Sequence, residues 1–188
     1  MTTSKSGGGF LRAVITLASV LIAFTGQSCE KNTDNLVGYK TAVSQDRYVD
    51  LNGDGKWDFA FSYFAGETRS YPPSSSWEGL YVECFDSNQV QVSDSGITVP
   101  LTRGAMISDS LGWRSYSESL GGSGSIGGTW SGPWVGTTPH FLGVRLYRSG
   151  QYYYGWIELD IGTDGSLTTF DSAYVSAANV PIRAGDNP

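Results

Sequence analysis

The chain has 188 residues, with 12 basic and 18 acidic side chains, a formal charge of −6, one His and two Cys. Such an acid surplus repels nucleic acid and anionic headgroups, so nucleic-acid binding is excluded as a function. Two cysteines rule out a disulfide scaffold, and frequent Gly, Ser, Thr, Tyr and Trp without Ala-Leu-Glu-Lys runs rule out a helical bundle.

In chain order, the first element is an export signal. Lys5 and Arg12 precede a short apolar run, Ala13 to Phe24, which stops before Gly26-Gln27-Ser28-Cys29. The run falls short of the roughly 20 apolar residues that span a bilayer, and it has the charged start, apolar centre and small residue before a cut that mark secretion. A cysteine just after that small residue resembles the lipobox of bacterial lipoproteins, although Gly26 and Gln27 replace that family's usual Leu and small residue. The resemblance implies cleavage after Ser28, acylation of Cys29 and anchorage in the outer membrane of a Gram-negative bacterium, with the membrane-facing side open. Residues 29–36 then form a polar tether and 37–188 a single domain. The mature chain would hold 160 residues with 10 basic and 18 acidic side chains. Cys84 would be its one unmodified thiol, alternating with Leu80 and Val82 on a strand, where a small core hydrophobe is the favoured role over a nucleophile.

Strands are predicted at Val37 to Val49, Trp57 to Phe64, Gly79 to Phe85, Gln89 to Ser93, Ile97 to Leu101, Trp113 to Ser117, His140 to Arg148, Tyr152 to Ile161 and Ser166 to Ser176. Nine short strands in one domain predict an all-β, antiparallel β-sandwich or jelly roll. The clearest pair is the hairpin from His140 to Ile161. Leu142, Val144, Leu146, Ile157, Leu159 and Ile161 share its core face, while Arg145, Tyr147, Trp156, Glu158 and Asp160 point the other way, toward solvent or a covering loop. Two stretches read as irregular: Tyr71 to Ser76, and Gly121 to Gly136, a loop carrying Trp130 and Trp134.

One motif carries a chemical mechanism. Calcium takes six to eight oxygen ligands, and Asp50, Asn52, Asp54 and Asp58 place side-chain oxygens at positions one, three, five and nine of a loop. Lys56 would add its carbonyl and Gly55 the bend. Phe61 stands where an EF-hand has its bidentate Glu, so the loop is no EF-hand; it resembles the Asp-x-Asn-x-Asp-Gly-x-x-Asp loops set into β-hairpins of secreted proteins. The competing account is a plain hairpin, because Asn52-Gly53 and Asp54-Gly55 both favour tight turns without metal. Structural calcium is the expectation, because three carboxylates within nine residues repel one another unless neutralised.

Other signals are weaker. Gly122 to Gly127 fits a dinucleotide pattern as text but neither follows an apolar strand nor opens a helix. His140 has no partner motif in sequence and reads as strand-edge packing. Glu158 and Asp160, two apart on one strand, share a face and resemble the start of the Glu-x-Asp-x-x-Glu motif of jelly-roll glucanases, with Thr163 in place of the third acid. A solvated face with Arg145 as cross-strand partner is the alternative.

A broader resemblance spans most of the mature chain. The Asp50 to Gly55 loop, Phe141 to Leu146 leading into Tyr154 to Leu159, Asp171 to Tyr174 and Val180 to Gly185 are similar, in that order, to a β-sandwich module of bacterial exported proteins that implies no activity. The expected function is a lipid-anchored binding or structural module with carbohydrate as the first ligand class. Trp130, Trp134, Tyr152, Tyr154 and Trp156 are the candidate platforms, set against ordinary core packing. A surface glycan hydrolase using Glu158 and Asp160, or an adhesion or envelope-assembly subunit, are the alternatives.

Overall fold

A computed structural model describes residues 47–68, 75–116, 118–137 and 139–188. The predicted signal, Cys29, the tether, the first predicted strand before Arg47, and Tyr71 to Ser74 lie outside the described residues. Eleven strands are formed among those described: β1 Arg47–Val49, β2 Phe59–Thr68, β3 Ser75–Cys84, β4 Gln89–Val92, β5 Met106–Ile107, β6 Gly112–Arg114, β7 Glu118–Ser123, β8 His140–Arg148, β9 Gln151–Ile161, β10 Leu167–Tyr174 and β11 Ile182–Arg183. They make a four-stranded sheet in the order β1-β2-β3-β7, a five-stranded sheet in the order β10-β9-β8-β4-β6, and a small β11-β5 pair. The pairings are antiparallel and no described residue is helical, so the expected all-β sandwich is the fold.

Strand alternation explains how the two large sheets meet. Phe59, Phe61, Leu80, Val82 and Leu120 of the first sheet pack on Val90, Leu142, Val144, Leu146, Ile157, Leu159 and Ile161 of the second. Burial of this apolar set is the main force holding the layers together. The β8–β9 hairpin forms as predicted, its turn made by Ser149 and Gly150 at φ 50° and 80°, a primed turn that matches strand twist.

The far face of the five-stranded sheet is covered. Phe141, Tyr154 and Trp156 pack there with Leu101, Ile107, Ile182 and Ala184, a second core beneath residues 98–107 and the chain's last segment. Of the two environments expected for that face, solvent or a covering loop, the loop prevails for Trp156, which is 2% exposed and donates from Nε1 to Asp186 O at 2.8 Å.

Three sequence expectations change. Ile97 to Leu101 is not a strand but touches its neighbours at two isolated bridges, Val92 with Thr98 and Leu101 with Phe141, because Pro100 has no N–H for a ladder. Gly121 to Gly128 is not wholly a loop, since its start belongs to β7. A Cβ on Gly122 would lie 2.4 Å from Glu78 O and one on Gly121 2.6 Å from Val135, so glycine here permits close approach of backbones. Ser75 and Ser76 open β3 instead of ending an irregular stretch.

Candidate functional site

The loop Asp50 to Asp58 joins β1 to β2 where Val49 lies opposite Phe59. Gly53 and Gly55 take φ of 71° and 83°, and the loop's N–H groups turn inward onto its side chains. Asp50 Oδ1 accepts from Gly53 N at 2.8 Å and Asp54 N at 3.2 Å, and its Oδ2 accepts from Gly55 N at 2.8 Å. Asn52 Oδ1 accepts from Asp54 N at 3.0 Å, and Asp54 Oδ1 from Lys56 N at 3.0 Å. Four of the five predicted metal residues thus sit together at the surface, where their hard oxygens suit calcium in kind and retain lone pairs beyond these bonds. Among the described residues no three His, Cys, Asp or Glu side chains converge on one point.

Asp58, the fifth, turns inward. It is 7% exposed, and its carboxylate accepts from Leu51 N at 2.8 Å, Asn88 Nδ2 at 3.0 Å and Asn52 Nδ2 at 3.2 Å. Burial pushes its carboxyl above the ordinary aspartate range, against the lowering effect of the Leu51, Asn88 and Asn52 donors. Between that range and the native value the folded chain holds a proton that the unfolded chain releases. This group alone therefore makes stability fall as pH rises through that window. Asn88 also accepts from Tyr147 N at 2.8 Å, which ties the loop to β8 in the opposite sheet. Asp58→Ala would take the carboxylate acceptor from Leu51 N, Asn52 Nδ2 and Asn88 Nδ2, the last of which keeps only a longer bond to the Asp58 carbonyl at 3.4 Å, and is expected to cost about 2–4 kcal/mol in urea denaturation, against about 0.5 kcal/mol or less for exposed Asp54→Ala.

The predicted carboxylate pair is arranged differently from expectation. Glu158 lies opposite Phe141 and pairs with Arg103 at 3.7 Å, not with Arg145; Asp160 lies opposite Thr168. Arg145 lies opposite Tyr154 and is 8% exposed. Its guanidinium sits 3.8 Å from the Tyr152 ring centroid and 4.7 Å from that of Trp113, and it donates to Gln89 Oε1 at 2.7 Å and Asp109 Oδ1 at 2.9 Å. The cation that parity placed on this face thus holds the segment from Asp109 to Trp113 against it.

The aromatic candidates are spent on packing. Trp130 and Trp134, 5% and 1% exposed, lie between the large sheets. Tyr154, 1% exposed, belongs to the second core with Trp156, and half-buried Tyr152 stacks under Arg145. Trp134 donates from Nε1 to Thr98 Oγ1 at 3.1 Å.

Trp130 leads to a group that sequence reading missed. Its Nε1 donates to Glu78 Oε1 at 2.8 Å, Gly127 N donates to the same atom at 3.2 Å, and Tyr63 Oη donates to Glu78 Oε2. Glu78 is 6% exposed and shares the core face with Leu80 and Val82, a parity visible in sequence once the strand is begun before Gly79. Burial, and then the Glu78 bond and charge, push the Tyr63 hydroxyl up to about 12. This trio pins the glycine-rich loop to the sandwich.

Cys84 is half-buried with Sγ 3.9 Å from the carbonyls of Arg114 and Tyr116, and burial with the charge of Glu118 pushes its thiol up to about 12. A thiol held protonated at neutral pH suits packing, not nucleophilic attack. His140 opens β8 opposite Leu159.

The fold and these groups define a three-layered β-sandwich with an acidic surface loop. Comparison with family models, curated proteins and solved structures gives no match.

Proposed function

We propose that this chain is an exported protein, anchored through acylated Cys29 to the outer membrane of a Gram-negative bacterium, whose β-sandwich acts as a binding or structural module. Carbohydrate is its ligand class, and the Asp50 to Asp58 loop is a calcium clip. The observation that carries the choice of binding over hydrolysis is the covered far face of the five-stranded sheet: Glu158 is tied to Arg103 beside the packed rings of Phe141 and Trp156. Hydrolysis by a carboxylate pair needs both groups to reach one glycosidic bond.

The anchor is tested by metabolic labelling with a fatty-acid analogue. Cys29→Ser is expected to abolish labelling and leave the precursor uncut; equal labelling of mutant and parent would remove the claim.

The calcium clip is tested by calorimetry. Melting temperature is expected to rise with millimolar calcium by mass action, and Asp54→Ala to remove that rise while leaving the melt in excess chelator unchanged. Since the exposed Asp54 carboxylate accepts from Lys56 N, a bond within the loop, its loss separates ligation from folding. No calcium-dependent shift in the parent would leave the metal-free hairpin as the account of the loop.

A further inference from the structure

Alternation along β2 and β3 sends one set of side chains into the core and the other to the outer face of the four-stranded sheet. On that outer face Ala60 lies opposite Tyr48 and Glu83, Ser62 opposite Tyr81, Phe64 opposite Gly79, and Gly66 opposite Trp77. Small residues therefore alternate with rings. A Cβ on Gly66 would lie 2.9 Å from the Trp77 indole and one on Gly79 2.9 Å from the Tyr81 ring, so both rings lie down on bare backbone. Phe64 meets Tyr81 edge-on at 5.5 Å. At the loop end of the face, Trp57 joins Tyr48 with ring centroids 5.5 Å apart. Tyr48, Trp57 and Phe64 are 48%, 54% and 36% exposed, in contrast to the near-complete burial of Trp130 and Trp134.

We infer that this face is the ligand platform of the domain and that it takes an extended, neutral oligosaccharide; the inference rests on the binding-module reading and gives it a site. Trp77, laid down on Gly66, and the exposed rings of Tyr48, Trp57 and Phe64 offer apolar ring surface on which the C–H face of a pyranose stacks, while half-buried Glu83 sets carboxylate oxygens among them for hydroxyl groups. From Ala60 to Gly66 the row spans six residue steps, about 20 Å, which suits several sugar units in line. Charge selects among occupants. Glu83 stands on the face itself, and the proposed mature chain has 18 acidic and 10 basic side chains, so acidic glycans and anionic lipid surfaces are repelled.

The test uses the full-length acylated chain in detergent micelles on an array of neutral and acidic oligosaccharides. Neutral glycans are expected to bind, with Trp57→Ala and Phe64→Ala each weakening binding about tenfold and Phe170→Ala, an exposed ring on β10 in the other sheet, leaving it unchanged. Unchanged melting temperature in Trp57→Ala establishes that its loss is local. Binding that survives both platform substitutions would overturn this site and leave the binding-module reading standing, whereas no glycan binding by the parent would overturn both the site and the carbohydrate reading. Binding confined to acidic glycans would overturn the charge argument. In phosphatidylcholine vesicles, protection of Trp57 from a collisional quencher without glycan binding would assign the face to the membrane and overturn the proposal.

Discussion

Trp134→Ala is expected to destabilise the protein by about 3–5 kcal/mol, the largest single effect available among the candidate ligand aromatics. Trp134 is 1% exposed, packs between the two large sheets, and bonds Thr98 Oγ1 through its indole N–H. Removing it opens a ring-sized cavity and deprives the Thr98 hydroxyl of its donor, although that hydroxyl still donates to Ser119 O at 2.7 Å. Trp134→Phe should recover most of the loss because it restores most of the volume without the bond. Urea denaturation followed by far-UV circular dichroism measures both. A cost below about 1 kcal/mol would mean that Trp134 is a surface ring, as in the platform reading of its loop.

Arg145→Ala is expected to cost about 3 kcal/mol, while Asp109→Ala costs under about 1 kcal/mol, although the two form one ion pair at 2.9 Å. The asymmetry follows from burial. Asp109's side chain is 84% exposed, so solvent screens its charge and replaces it as a partner. Arg145 instead packs against the rings of Trp113 and Tyr152 and bonds Gln89, contacts that water cannot restore once the side chain is cut back. Arg145→Lys should rescue little, because an ammonium lacks the planar fork that stacks and donates to Gln89 at once. Equal costs for the Arg145 and Asp109 alanine variants would show that the ion pair, not the stacking, holds the segment from Asp109 to Trp113.

Much of the fold was legible because the β8–β9 hairpin keeps a strict two-residue alternation on both arms, with a turn dipeptide between. The same rule correctly placed Arg145 and Trp156 away from the main core. Parity alone says nothing of what lies on the far side, so the third layer, built from Leu101, Ile107, Ile182 and Ala184 on segments too short to show a period, was visible only as the possibility of a covering loop. The glycines of β7 were misread for a related reason: glycine signals a loop by its own freedom, but here it is set by the closeness of Glu78 and Val135, which are distant in sequence. In the acidic loop, the side chains of Asp50, Asn52 and Asp54 accept from the loop's own N–H groups, as close spacing of short polar residues allows. The inward turn of Asp58 depends on Asn88, thirty residues away, which loop spacing does not encode.

Asn88 makes the loop more than a local appendage. It donates to Asp58 on one side and accepts the β8 amide of Tyr147 on the other, so loosening at the loop frees a polar group buried between sheets whose shared core is apolar. The free energy of loop opening is thereby linked to the free energy of separating the layers. Amide exchange should register this directly: the Tyr147 amide, in a different sheet from the loop, should lose protection together with Leu51 N, as one cooperative unit, and gain it together if calcium closes the loop.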